Sequence, residues 1–91
     1  MQMLEDTLKE RGSRYGSFSE LSRIAQKLKW VMWNAHEGEG WEKLNLPQRQ
    51  ALEVIADKIA RILNGDPNYV DNWHDIQGYA RLVEVELCRD S

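Results

Sequence analysis

The chain has 91 residues, of which 42% are hydrophobic and 30% charged, with a formal net charge of -3. That length holds one domain with one modest core, and the balance is that of a folded rather than a disordered chain. The acidic balance predicts no broad electropositive surface, so duplex nucleic acid is not an expected partner. A single cysteine, Cys88, excludes an intramolecular disulfide and a cysteine zinc cluster, and it fits a reducing compartment. Apolar runs of only a few residues predict no membrane span, and the N-terminus, charged from Glu5 onward, lacks a signal-peptide apolar stretch. The expected location is the cytoplasm of a bacterium or of a phage-infected cell.

Glycine and proline divide the chain into four helical stretches. The first is predicted from Met1 to Lys9, ending in a loop at Arg11-Gly12-Ser13-Arg14-Tyr15-Gly16. The second begins after Ser17, which has capping-box spacing to Glu20. Its apolar positions, Leu21, Ile24, Ala25, Leu28, Val31, Met32 and Ala35, repeat at 3, 4 and 7 as an amphipathic helix requires. His36 to Trp41 reads as a loop with two glycines. Asn45, Pro47 and Gln48 then signal a third helix, with Asn45 as N-cap. It carries Leu52, Ile55, Ala56, Ile59, Ile62 and Leu63. Asn64-Gly65 stops it, with Gly65 expected in the left-handed conformation. The fourth helix is predicted from about Asp71 to Leu87, with Trp73, Ile76, Ala80, Val83 and Leu87 facing the core. No useful period-2 pattern appears. The fold class is all-α: a small helical bundle of three long helices plus a short N-terminal one, expected to be oligomeric.

Several residues are left over by this pattern. Asp71, Asp75, Gly78, Leu82 and Val85 form a second stripe on the fourth helix. Gly78 inside a helix costs about 1 kcal/mol relative to alanine, which suggests close approach of a backbone or ligand. Asp71 and Asp75, four apart, repel each other unless a cation lies between them. The plainer reading makes Asp71 an N-cap and sets Asp75 at the positive end of the helix dipole. On the third helix, Glu53 and Asp57 are also four apart, with Lys58 on the opposite flank. Asp57 with Arg61 could form an ordinary i,i+4 pair. Four carboxylates from two adjacent helices are also what a magnesium ion requires.

Arg11, Arg14 and Tyr15 lie in the glycine-flanked segment, where guanidinium and backbone N–H groups could meet a phosphate, although GSRYG is not a Walker loop. Trp30 and Trp33 fall outside the core stripe of the second helix and suggest an oligomer interface. His36 and His74 are isolated. There is no nucleophilic triad and no zinc-protease motif.

The runs RGSRYG (11–16), KIARILNG (58–65) and DNWHDIQGYA (71–80) together resemble a small phage and prophage family close to the nucleotide-modification-associated domains. The resemblance covers most of the chain except Trp33 to Leu46. More distantly, the pattern is similar to the MazG-type all-α nucleoside triphosphate pyrophosphatases, which hold magnesium with EExxE and ExxD motifs on two helices and work as dimers or tetramers. The resemblance implies a nucleotide-handling protein. Glu53, Asp57, Asp71 and Asp75 would hold magnesium, and Arg11, Arg14, Tyr15, Lys58 and Arg61 would meet the nucleotide. Asn72 stands where the second motif has glutamate, and the third helix has fewer acids than the enzyme motif. The alternative is therefore a non-catalytic binder of a nucleotide or nucleotide signal, or a phage protein that inhibits a host defence factor.

Overall fold

The computed structural model describes residues 2–89, and these are all-α. The helices are α1 (Gln2–Tyr15), α2 (Phe18–Asn34), a one-turn α3 (Glu39–Glu42), α4 (Leu46–Asn64) and α5 (Val70–Arg89), with a 3-10 turn at Ala35–Gly38. None of the described helices is long and apolar enough to cross a membrane. Met1, the expected start of the first helix, lies outside the described residues.

Capping accounts for the helix starts. Ser17 accepts the Glu20 N–H on its hydroxyl at 3.2 Å, but the Glu20 carboxylate turns to Arg23 instead of closing a box. At α4 the box is complete: Asn45 and Gln48 each accept the other's backbone N–H at 2.9 Å. The turn after α2 runs through left-handed conformations at His36, Glu37 and Gly38, which reverse the chain into α3.

Two expectations are corrected. The segment Arg11 to Tyr15 is helical rather than a loop, and α1 runs on past Lys9. An i,i+4 ion pair between Glu10 and Arg14 (2.9 Å) supports the extension, and the helix ends only where Gly16 takes a positive φ of 77°. Gly65, in turn, is extended (φ -141°) rather than left-handed. It is glycine because the chain approaches it: a Cβ there would lie closer than 3.0 Å to the carbonyl of Arg14. This junction ties α1 to the end of α4. The Asp66 N–H donates to the Arg14 carbonyl at 2.7 Å, and the Asn64 amide donates to the carbonyls of Tyr15 and Ser17 at 2.8 and 3.0 Å.

The central element is α4. It packs against α2 on one side and α5 on the other, whereas α2 and α5 have no substantial mutual contact among the described residues. The three long helices therefore form an open layer. The fully buried residues are small: Ala25, Ala51, Ala56 and Ala60, with Asn72. Trp73, Ala80 and Leu87, expected to face the core, are exposed instead, because among the described residues no helix covers that flank of α5.

Candidate functional site

The expected site residues fall into two groups. The first is a basic and aromatic cluster where the end of α1 meets α4 and the start of α5. Because Arg11, Arg14 and Tyr15 are helical, their spacing fixes where they lie. Arg14 leaves α1 toward Tyr69: its Nη1 donates to the Tyr69 hydroxyl at 2.6 Å, and its guanidinium lies 4.4 Å from the Tyr69 ring centroid. Tyr15 meets Tyr69 edge-on at 6.1 Å. The Arg61 guanidinium, from α4, stands 5.0 Å from the Tyr15 ring, and that of Arg11 5.9 Å from it. Arg11 and Arg61 thus both converge on one aromatic side chain, as cations do on the face of a ring.

Arg11 and Arg61 also line a cleft of about 430 Å³ whose apolar wall is Leu8, Phe18 and Leu21. Among the described residues neither arginine pairs with a carboxylate, although Arg14 is engaged by Glu10. The expected Asp57–Arg61 pair is not formed. Asp57 reaches across to Lys29 of α2 at 2.9 Å, which leaves Arg61 to Tyr15.

The second group is the carboxylates. Asp75 of α5 pairs with Lys58 of α4 at 2.9 Å, and the Lys58 ammonium holds its carboxyl below the ordinary value of 3.8. Asp71 lies inside the first turn of α5 and accepts the Tyr69 hydroxyl at 2.8 Å. That bond to Asp71, together with burial, raises the Tyr69 hydroxyl above 10.0, while nearby Arg14 opposes the shift. Glu53 is half-buried on α4, one turn before Asp57. Among the described residues no three His, Cys, Asp or Glu side chains come together as a metal centre would need. Among the described residues Lys29, Lys58 and Tyr69 engage three of the four carboxylates expected to hold magnesium, Asp57, Asp75 and Asp71. Asn72 is 1% exposed, sealed at the start of α5. No backbone of the described residues approaches Gly78, since a Cβ there meets nothing within 4 Å among them.

Sequence reasoning missed Tyr69 and Asn64. Tyr69 lay in the turn after Asn64-Gly65-Asp66-Pro67, with no periodic signal to mark it, yet it joins Arg14 to Asp71. Trp30 is 63% exposed and Trp33 half-buried, and they project from the flank of α2 away from Val31. Compared with known proteins, the chain matches no family profile, no curated protein and no solved structure.

Proposed function

We propose that the protein binds a nucleotide, or a nucleotide-like signal, without cleaving it. The observation that carries this reading is the pair Arg11 and Arg61, both over Tyr15 in a cleft with an apolar wall and neither committed to a carboxylate among the described residues. Guanidinium groups pair with phosphate through directed, charge-assisted hydrogen bonds. An aromatic ring and apolar side chains beside them suit a nucleobase, and the cleft volume lies in the range of small-ligand sites. The absence of cleavage follows from the acids: hydrolysis through magnesium needs free carboxylates, and Asp57 and Asp75 are each held by a lysine.

The test is thermal unfolding with each nucleoside triphosphate, with and without magnesium, alongside a pyrophosphate assay. A ligand at ten times its Kd stabilises the folded state by about 1.4 kcal/mol, a rise of several degrees for a domain this small. The expected result is a rise in Tm with at least one nucleotide, lost in Arg61→Ala, and no pyrophosphate. Magnesium-dependent release of pyrophosphate would establish the hydrolase reading that the MazG resemblance implies. No rise with any nucleotide would reject nucleotide binding and favour a protein partner.

A further inference from the structure

The single chain is too open for its size. Its accessible surface is 6963 Å², whereas a compact monomer of this mass exposes about 5,500 Å². Its radius of gyration is 15.4 Å, with extents of 50 × 30 × 25 Å, against about 12 Å for a compact domain of this length.

The excess has a location. On a 100° wheel, Leu52, Ile59 and Leu63 share one flank of α4, roughly opposite Asp57 and Arg61. Val31 is likewise roughly opposite Lys29 on α2, and Trp73 and Leu87 lie on the flank of α5 away from Asp75. The bridges Lys29–Asp57 and Lys58–Asp75 therefore mark one face of the three-helix layer as polar. The other face is apolar along α4 and its groove with α5, while Glu20 and Lys27 flank Val31 on α2 and Glu84 flanks Trp73 on α5. The continuity of this face across α4 and α5 is shown by a groove of about 340 Å³ lined by Leu52 and Ile55 on one side and Ala80 and Val83 on the other. Val31, Leu52, Ile59, Leu63, Trp73 and Leu87 on this face are 37–66% exposed. These are the residues whose helical periodicity marks them as core.

We infer that this face is covered by a second copy of the chain, the two three-helix layers stacking apolar face to apolar face. A helical layer with one apolar face needs a second layer to make a core. The excess of roughly 1,400 Å² per chain matches what each partner of an obligate dimer buries, about 1,000–2,500 Å². The contact centres on Leu52, Ile59 and Leu63 of α4, which carry no charge, and the acids on the outer helices, Glu20 and Glu84, are paired within their own helices with Arg23 and Arg81. The cleft with Arg11 and Arg61 stays open, because Arg61 belongs to the polar face. This inference does not depend on the nucleotide reading.

The test is the mass of the whole chain by light scattering at about 100 μM, together with Tm over a hundredfold dilution. The expected mass is twice 10.7 kDa, with a Tm that falls on dilution because unfolding is coupled to dissociation. Leu52→Glu with Ile59→Glu should abolish the dimer, giving 10.7 kDa or an unfolded chain. Leu46→Glu, at a residue 76% exposed on the opposite flank of α4, should leave the mass unchanged. A wild-type monomer, a Tm independent of concentration, or an assembly that survives the double substitution would each overturn the inference.

Discussion

The carbonyl of Arg14, at the end of α1, accepts the N–H of Asp66, just past the end of α4, at 2.7 Å. Two glycines make that approach possible. A Cβ on Gly65 would enter the carbonyl of Arg14, and one on Gly16 would enter the carbonyl of Asn64. Gly16 also carries a positive φ of 77°, which L side chains adopt at a cost of about 1–2 kcal/mol.

The chain's glycines should therefore split into two classes on substitution. Gly16→Ala and Gly65→Ala are expected to cost about 2 kcal/mol or more each, since the neighbour at both is backbone. Gly12 and Gly78 lie inside helices with nothing near a built Cβ among the described residues. Gly12→Ala and Gly78→Ala should raise stability by up to about 1 kcal/mol. Urea unfolding of the four variants checks this, and a destabilised Gly78→Ala would mean that another molecule seats against α5.

The same residues show how far the sequence could be read. Periodicity located the three long helices and the capping residues, because those signals are local. The segment Arg11 to Tyr15 is helical although its glycine and serine, with Gly16 beyond, are loop signals on local grounds, because Glu10–Arg14 pairing holds the helix through Gly12. The carboxylates show a different limit. Spacing placed Asp57 and Asp75 on faces where they could act, but Lys29 and Lys58 reach them from other helices, and partners across a helix interface leave no periodic trace. Tyr69 was invisible for the same reason. It matters only because α1 brings Arg14 to it.

Asp75 should give stability an acid limb. Its carboxyl is held below 3.8 in the folded state, first by its hydrogen bond with Lys58. A depressed folded pKa means stability that is present above the unfolded value and lost as pH falls through the folded one. Wild type is expected to be more stable than Asp75→Asn at pH 7, with the two Tm values converging as pH drops below 3.8. A difference that stays constant down to pH 2 would sink the assignment.

The chain of bonds from Arg14 through Tyr69 to Asp71 predicts a spectroscopic signature. The Tyr69 hydroxyl is raised because its proton is held by Asp71. Asp71→Asn should bring the Tyr69 titration down toward 10.0, read by phenolate absorbance difference against a Tyr69→Phe reference. An unchanged titration would show that the Asp71 carboxylate does not hold that proton. Arg14→Ala should act in the opposite direction, since the guanidinium opposes the shift.

Asn72 separates binding from catalysis most directly. Under the MazG resemblance it would take the place of a motif glutamate, so Asn72→Glu tests that reading. The side chain is 1% exposed, and its Nδ2 has no hydrogen-bond partner among the described residues. An unsatisfied buried donor already costs about 1–3 kcal/mol. Replacing it with a longer, ionisable group adds overpacking and the desolvation of a buried carboxyl. Asn72→Glu is therefore expected to lose at least about 3 kcal/mol in urea unfolding and to gain no magnesium-dependent turnover. Asn72→Leu, with the same branched shape but bulkier methyl groups and no donor to satisfy, should cost less than Asn72→Glu, because it removes the unsatisfied Nδ2 without adding a charge. A folded Asn72→Glu protein that releases pyrophosphate would show instead that this position opens to a metal, and would favour the hydrolase reading.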